Sequence, residues 1–299
     1  MSEPLVSIVL LTRNGGSGLR ELVDAIARQR TEFTFETVAI DSGSTDGTAE
    51  WLEQSPAVAR VVRIAPDRFN HGTTRNLGIE QARGAFVVLI VQDALPTADD
   101  WLARLVAPLQ RDPCVAGTFC RQRPRPGARA ITVSYLEGWA GASPEPRRVS
   151  FDDARALDAL DPLARLQACT FDNVCSCLRR SVWTRIPFRR TPIAEDMEWG
   201  REVLLAGWRL RYTPEAVVIH SHERSARHEL WRTRASHARL AALFGLRTVP
   251  RARDLLRAWS WTLAQHWRLA RPAERPHALA LAVVLPLGQY LGGRAAAGG

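Results

Sequence analysis

Several short apolar runs in this 299-residue chain end in polar groups of the kinds that handle phosphate, cations and protons. VSIVLLT (6–12) leads into Arg13-Asn14, FETVAID (35–41) into Ser42, and AFVVLIVQD (85–93) closes on Gln92-Asp93. An aspartate ending so apolar a run must be solvated, paired or bound to a cation, which makes Asp93 a candidate metal ligand. Asp41 offers an acceptor to a nucleobase N–H or a ribose hydroxyl. Arg75, in HGTTRN, stands near a predicted helix start, where its fork of donors suits a diphosphate or a base; a plain surface arginine is the alternative. Glu195, Asp196 and Glu198 follow Pro192 closely. Three acids in four residues fit a general base, although a helix dipole alone favours one acid there. His220 and His222 suit either metal ligation or structural hydrogen bonds. Gly15-Gly16-Ser17-Gly18 would let a ligand approach the backbone, but Glu21 stands where a dinucleotide fingerprint needs its third small residue.

These groups need elements to hold them. Apolar runs at 6–12, 35–41, 58–65 and 85–93 alternate with amphipathic segments, which predicts βα units in an open α/β sheet whose ligands bind beyond the carboxyl ends of the strands. A helix is expected over about 73–83 and another at 194–205, with Thr45 or Asp46 an expected N-cap for the helix after Gly47. The segment 121–130, rich in Pro, Gly and Arg, reads as irregular. Strands are expected near 169–180 and 208–220. Residues 226–291 read as helical, with Leu255, Trp259, Leu263 and Trp267 spaced four apart among arginines. That pattern fits an interfacial helix at headgroup depth or, equally, a helix packed on the core or on a second subunit. The apolar stretch 277–291 is broken by Pro286 and falls short of a membrane span.

Composition removes several chemistries. All 40 basic residues are arginine, so a P-loop site, a pyridoxal Schiff base and a lysine aldolase are excluded. Residues 1–220 carry 27 arginines and 27 acids; residues 221–299 carry 13 and 4, so the whole net charge of +9 sits in the tail. A neutral body with a basic appendage argues against nucleic acid as the partner. The five cysteines form no CxxC pair and follow no signal peptide, which predicts reduced thiols in a cytoplasmic protein.

Taken in order along the chain, VSIVLLTRN, IDSGSTDGT, TRNLG, the Asp93 strand and Glu195-Asp196 resemble the inverting glycosyltransferases of family 2 over roughly residues 5–222. FNHGTTRNLG, VQDALP, FDNVCSCLRRSVW, AEDMEW and IHSH look most like the bacterial rhamnosyltransferases within it. The resemblance implies a GT-A fold with a Rossmann-like, mostly parallel sheet covered on both faces. Its catalytic domain would span 1–222, a nucleotide-sugar half of about 1–95 and an acceptor half of about 96–222, followed by a basic helical extension, 223–299. It implies that Thr12, Arg13, Asn14, Asp41, Ser42, Arg75, Gln92 and Asp93 hold the nucleotide sugar, with Phe69, Asn70, His71 and Gly72 shaping its pocket. Asp93, with His220, would bind Mg²⁺ or Mn²⁺, Val91 replacing the first aspartate of the DxD element. Asp196, ahead of Glu195, would be the base, and Trp199 a platform for the acceptor ring. The implied donor is dTDP-L-rhamnose and the implied acceptor a glycan or lipid-diphosphate-linked glycan of cell-surface polysaccharide synthesis. The basic tail would meet an anionic inner leaflet or a second copy in a homodimer. A transferase for another nucleotide sugar and a noncatalytic sugar-nucleotide-binding protein are the rival readings.

Overall fold

Alternation along the first strand sorts its side chains onto two covered faces. All seven residues of β1 (Val6–Thr12) are buried; Val6, Ile8 and Leu10 join one apolar cluster, Val9 and Leu11 the other. The computed structural model describes residues 3–151 and 153–295. After β1 come α1 (Gly16–Ala27), β2 (Phe35–Asp41), α2 (Thr48–Gln54), β3 (Arg60–Arg63), α3 (His71–Gln81), β4 (Phe86–Val91) and β5 (Leu95–Pro96). The middle of the chain supplies α4 (Trp101–Arg111), β6 (Val115–Arg123), α5 (Ala130–Glu137), β7 (Arg147–Val149), α6 (Ala154–Asp158) and α7 (Pro162–Ala168). β8 (Cys175–Arg179), α8 (Arg180–Trp183), α9 (Glu195–Leu205) and β9 (Arg209–Ile219) complete the sheet and its cover. Three further helices follow: α10 (Ala226–Phe244), α11 (Ala252–Leu269) and α12 (Arg275–Ala295).

The sheet order is β3-β2-β1-β4-β8-β6-β9-β5, with β7 paired to β9. β1 to β4 run parallel, and β6 and β9 run in the same sense. β8 is antiparallel to both its neighbours. That reversal sets the site, because it brings the residues just before β8 to the edge where β1, β2, β4, β6 and β9 end. One face is covered by α1, α2 and α4 through Leu22, Leu52 and Leu105, the other by α3, α9 and α10 through Ile79, Val203 and Phe244.

Three expectations change in the structure. α2 is capped at Gly47, in the left-handed region with φ 83°, while Asp46 Oδ1 accepts from the Thr48 N–H at 3.1 Å. The helix expected at 73–83 begins two residues earlier, because Asn70 accepts from the Thr73 N–H and caps it. The C-terminal helix continues through Pro286, and Pro272–Ala295 is long and apolar enough to cross a membrane by length and composition, with 39% of that window buried. Much of the cover is α10. At Gly292 a Cβ would come within 2.4 Å of the Arg234 carbonyl oxygen, and at Gly288 within 2.9 Å of Thr233 Cβ, so the two helices meet at backbone distance.

Candidate functional site

Strand register collects the first polar groups. Thr12 pairs with Asp41 across β1 and β2, and Leu11 pairs with Val91 across β1 and β4, so Thr12, Asp41, Gln92 and Asp93 share one edge. Gln92 staples β1 there: its Oε1 accepts from Thr12 Oγ1 and from the Arg13 N–H at 2.8 Å each, and its Nε2 donates to the Arg13 carbonyl. Asp41 is 2% exposed and accepts from the Gly43 and Ser44 N–H groups and from Ser44 Oγ, which stiffens the loop beyond β2. Asn14, at φ 49°, accepts from the Thr45 N–H and laces this loop to the one after β1. Ser42 Oγ is buried with no partner among the described residues. A buried hydroxyl left unpaired at a sheet's carboxyl edge is an open position for a ligand.

Next to this loop pair lies a cluster with the donor set of a cation site. Asp93 Oδ1 is 3.7 Å from His220 Nε2, Asp93 Oδ2 is 3.5 Å from His222 Nδ1, and the two imidazole Nε2 atoms are 3.0 Å apart. Ligand atoms of the three residues all fall within 4.8 Å of one another. The tautomer of His220 follows from its other neighbour. Gln122 Nε2 donates to Asp172 Oδ2 at 2.6 Å, which turns Gln122 Oε1 toward His220 Nδ1 at 2.9 Å. Nδ1 therefore carries the hydrogen and Nε2 presents a lone pair to Asp93 and His222. Burial pushes His220 down to about 4 and also lowers His222, so both rings are neutral near pH 7. A carboxylate and lone pairs from two neutral rings converge without enough protons between them, and a divalent cation satisfies that set. Glutamine and arginine flank it: a cleft of about 410 Å³ beside Gln122 is lined by Arg121, Arg123, Pro124, Glu137 and Ala142.

Behind the edge lies a knot of acids around one arginine. Arg75 is 4% exposed; its Nη1 bonds Glu195 Oε1 and the His71 carbonyl, and its Nη2 reaches the Asn173 carbonyl at 3.4 Å. Asp196 Oδ1 accepts from the Met197 N–H at 2.8 Å and Oδ2 from the Asn173 N–H at 3.2 Å. Burial, then the like charges of Glu195 and Asp172, push the Asp196 carboxyl up to about 8, while Arg75 and the Asn173 N–H pull it back. Asp172 is raised as well, burial outweighing the donors from Val174, Trp139 and Gln122. Ala194, N-cap of α9, holds φ 63° without being glycine, a strained turn that aims Glu195 and Asp196 into the knot.

The structure brings Thr12, Arg13, Asn14, Asp41, Ser42, Gln92, Asp93 and His220 to one edge, and it corrects five expected contacts. Arg75 is committed to Glu195 inside the protein, so it does not extend its charge to a diphosphate, and Glu195 is correspondingly not a free base. Asn70 is occupied by the α3 cap and by the Thr191 carbonyl, 2.7 Å from its Nδ2. Gly72 answers to packing, since a Cβ there would lie 2.1 Å from the Arg189 carbonyl oxygen. Trp199 is 1% exposed, stacked against Phe171 and Phe188 with its Nε1 donating to the Ile186 carbonyl, and has no free face for a sugar. Phe69 and His71 do stand open at the rim, edge to face at 4.9 Å. Asp172, Asn173 and Gln122 were missed. The signal was the polar pair heading a strand, FDNVCSC, whose meaning depends on that strand running backwards.

Sequence and structure comparisons bear on this arrangement. The sequence profile of Glycosyl transferase family 2 matches residues 7–151, the stretch that carries Thr12, Asp41 and Asp93. The chain is 29% identical over 232 residues to the O-antigen chain rhamnosyltransferase RfbN of Salmonella typhimurium, covering 76% of this chain and 69% of that one. It is 28% identical over 235 residues to the O-antigen chain rhamnosyltransferase WbaN of Salmonella anatum, covering 77% and 70%. These matches support a glycosyltransferase of family 2. Its fold is similar to that of a mannosyltransferase from Pyrobaculum calidifontis solved with GDP-Man and Mn²⁺, at a TM-score of 0.58 and 21% identity, over 100% of this chain and 77% of that one. The protein has the GT-A fold, and its loops after β1, β2 and β4 lie where an α/β sheet of that kind takes its ligand.

Proposed function

We propose that this glycosyltransferase moves L-rhamnose from dTDP-L-rhamnose to a hydroxyl of a glycan or lipid-linked glycan, with inversion, in the assembly of a cell-surface polysaccharide at the inner face of the cell membrane. The observation that carries the reading is the placement of Asp196, held by the Asn173 N–H ahead of β8, just behind the sheet edge that carries the Asp93, His220 and His222 cluster. Burial and like charge raise its carboxyl to about 8, which makes the ionised form a stronger base than an ordinary aspartate and lets its share grow as pH rises toward 8. The acceptor oxygen then bonds the anomeric carbon, the bond from that carbon to the diphosphate oxygen breaks, and dTDP leaves with the electron pair. A β-linked donor gives an α-linked product.

Asp93, His220 and His222 would hold Mg²⁺ or Mn²⁺, which supplies positive charge to the departing diphosphate. Thr12, Asp41 and the unpartnered Ser42 Oγ would take the nucleoside, and the Arg121 and Arg123 cleft the acceptor. The names of the Salmonella relatives support rhamnose as the sugar. Calorimetric titration of dTDP-L-rhamnose, dTDP-glucose, UDP-glucose and GDP-mannose, each with and without Mn²⁺, tests the reading. Selective, Mn²⁺-dependent binding of dTDP-L-rhamnose is expected. Preference for another donor would keep the mechanism and replace the sugar, and binding of none would move the chain to a noncatalytic role.

A further inference from the structure

The C-terminal helices carry a surface that the sugar-transfer chemistry does not use. α11 and α12 run antiparallel along a seam closed by Leu255, Thr262 and His266. Trp259 Nε1 donates to the Val283 carbonyl at 3.0 Å, His266 Nδ1 donates to the Ala278 carbonyl at 3.0 Å, and the Arg275 guanidinium lies 4.4 Å from the Trp267 ring centre. The outer side of the pair is open. Leu256 is 67% exposed, Trp261 65% and Val283 53%, and Leu263, Trp267 and Leu279 are exposed beside them. Soluble monomers rarely leave so many large apolar groups together in water.

Charge identifies the occupant. Arg253, Arg257 and Arg268 are exposed on the same arc of α11 as Leu256, Trp261 and Trp267, and Asp254 is the only acid in that helix. The tail from residue 221 holds 13 arginines against 4 acids. A second copy would bring these arginines against their own equivalents across a two-fold contact, which like-charge repulsion disfavours. A surface of lipid phosphates instead pairs with the guanidinium groups while the indole rings enter at headgroup depth.

We propose that the outer face of α11 and α12 docks peripherally on an anionic lipid bilayer. The docked helices are tied to the cleft. His266 Nε2 accepts from Tyr135 Oη at 2.9 Å, Arg271 donates to the Ala128 carbonyl at 2.8 Å, and Glu274 accepts from the Ala130 N–H at 3.3 Å. These bonds fasten α5, whose Glu137 lines the arginine cleft, so docking fixes the height of that cleft above the lipid surface.

Flotation of the full chain with phosphatidylglycerol-rich vesicles and with pure phosphatidylcholine vesicles tests the proposal. Binding to the anionic vesicles alone is expected, weakening with salt. Each arginine replaced by glutamine should cost about five-fold in affinity, so the R253Q/R257Q/R268Q variant should lose on the order of 100-fold. L256S/W261S should lose at least about ten-fold through the apolar contact. All these positions are exposed, and nucleotide-sugar titration, which the proposal expects to be unchanged, reports that each variant is folded. Absence of vesicle binding, equal binding to phosphatidylcholine, or anionic binding untouched by the arginine variant would overturn it. So would concentration-dependent self-association that L256S/W261S abolishes, since the face would then belong to a second copy.

Discussion

The acid knot and the cation cluster manage charge in opposite ways. Around Asp196, three carboxyl groups and one guanidinium are gathered together, and burial first, then the surplus of negative charge, raises Asp196 to about 8. Around Asp93, one carboxylate faces two rings that burial keeps neutral, and the surplus is of lone pairs. One region therefore wants a proton and the other a metal ion. Asp172 joins them, its charge acting on Asp196 while its Oδ2 accepts from the Gln122 amide that sets the His220 tautomer. A single buried aspartate thus conditions both the base and the cation site.

Substitutions can break this contrast from either side. The largest effect is expected from Asp196→Asn, which should lower turnover by about 10³- to 10⁴-fold with the donor dissociation constant little changed; turnover that survives puts the base elsewhere. In the intact enzyme, activity should rise with pH along a limb near 8. The same raised carboxyl makes the wild type lose stability as pH climbs from about 4 to about 8, where the unfolded chain has released a proton the folded chain still holds. The Asn variant should melt without that slope, read by thermal unfolding across the range. Arg75→Met should cost about 3–5 kcal/mol in denaturant unfolding by leaving Glu195 buried and unpaired. It should also push the pH limb of any remaining activity higher, because Arg75 lowers Asp196. On the cation side, Gln122→Met frees the His220 tautomer and should weaken Mn²⁺ binding by about 10- to 100-fold, with Asp93→Asn exceeding it; both are measured by Mn²⁺ paramagnetic resonance titration. If Gln122→Met leaves Mn²⁺ affinity unchanged, the amide does not govern the ring.

Strand ends were legible because a β-branched run that stops at a polar residue carries its own boundary, and Thr12, Asp41 and Asp93 all fall at such stops. The long-range parts were not. Arg75 and Glu195 are 120 residues apart, and nothing local distinguishes a guanidinium that reaches a ligand from one that meets a buried acid. Trp199 follows Asp196 by three positions, yet one residue faces the knot and the other the core, a difference set by how α9 sits on the sheet. The direction of β8 depends on pairing with β4 and β6, so the value of Asp172 and Asn173 emerges only with the fold.

The close meeting of α10 and α12 at Gly288 and Gly292 gives the apolarity of the last helix another meaning. A helix that must lie with its backbone against a neighbour's needs small residues on the inside and apolar cover around them, and that composition imitates a membrane span. Lifting α12 into a bilayer would mean unzipping it from α10 along its length. Its hydropathy is then in part a record of clearance between two helices, and in the docking proposed above the enzyme would meet the membrane by the arginine, tryptophan and aliphatic side chains that α11 and α12 show outward, while the inner side of α12 stays packed on α10.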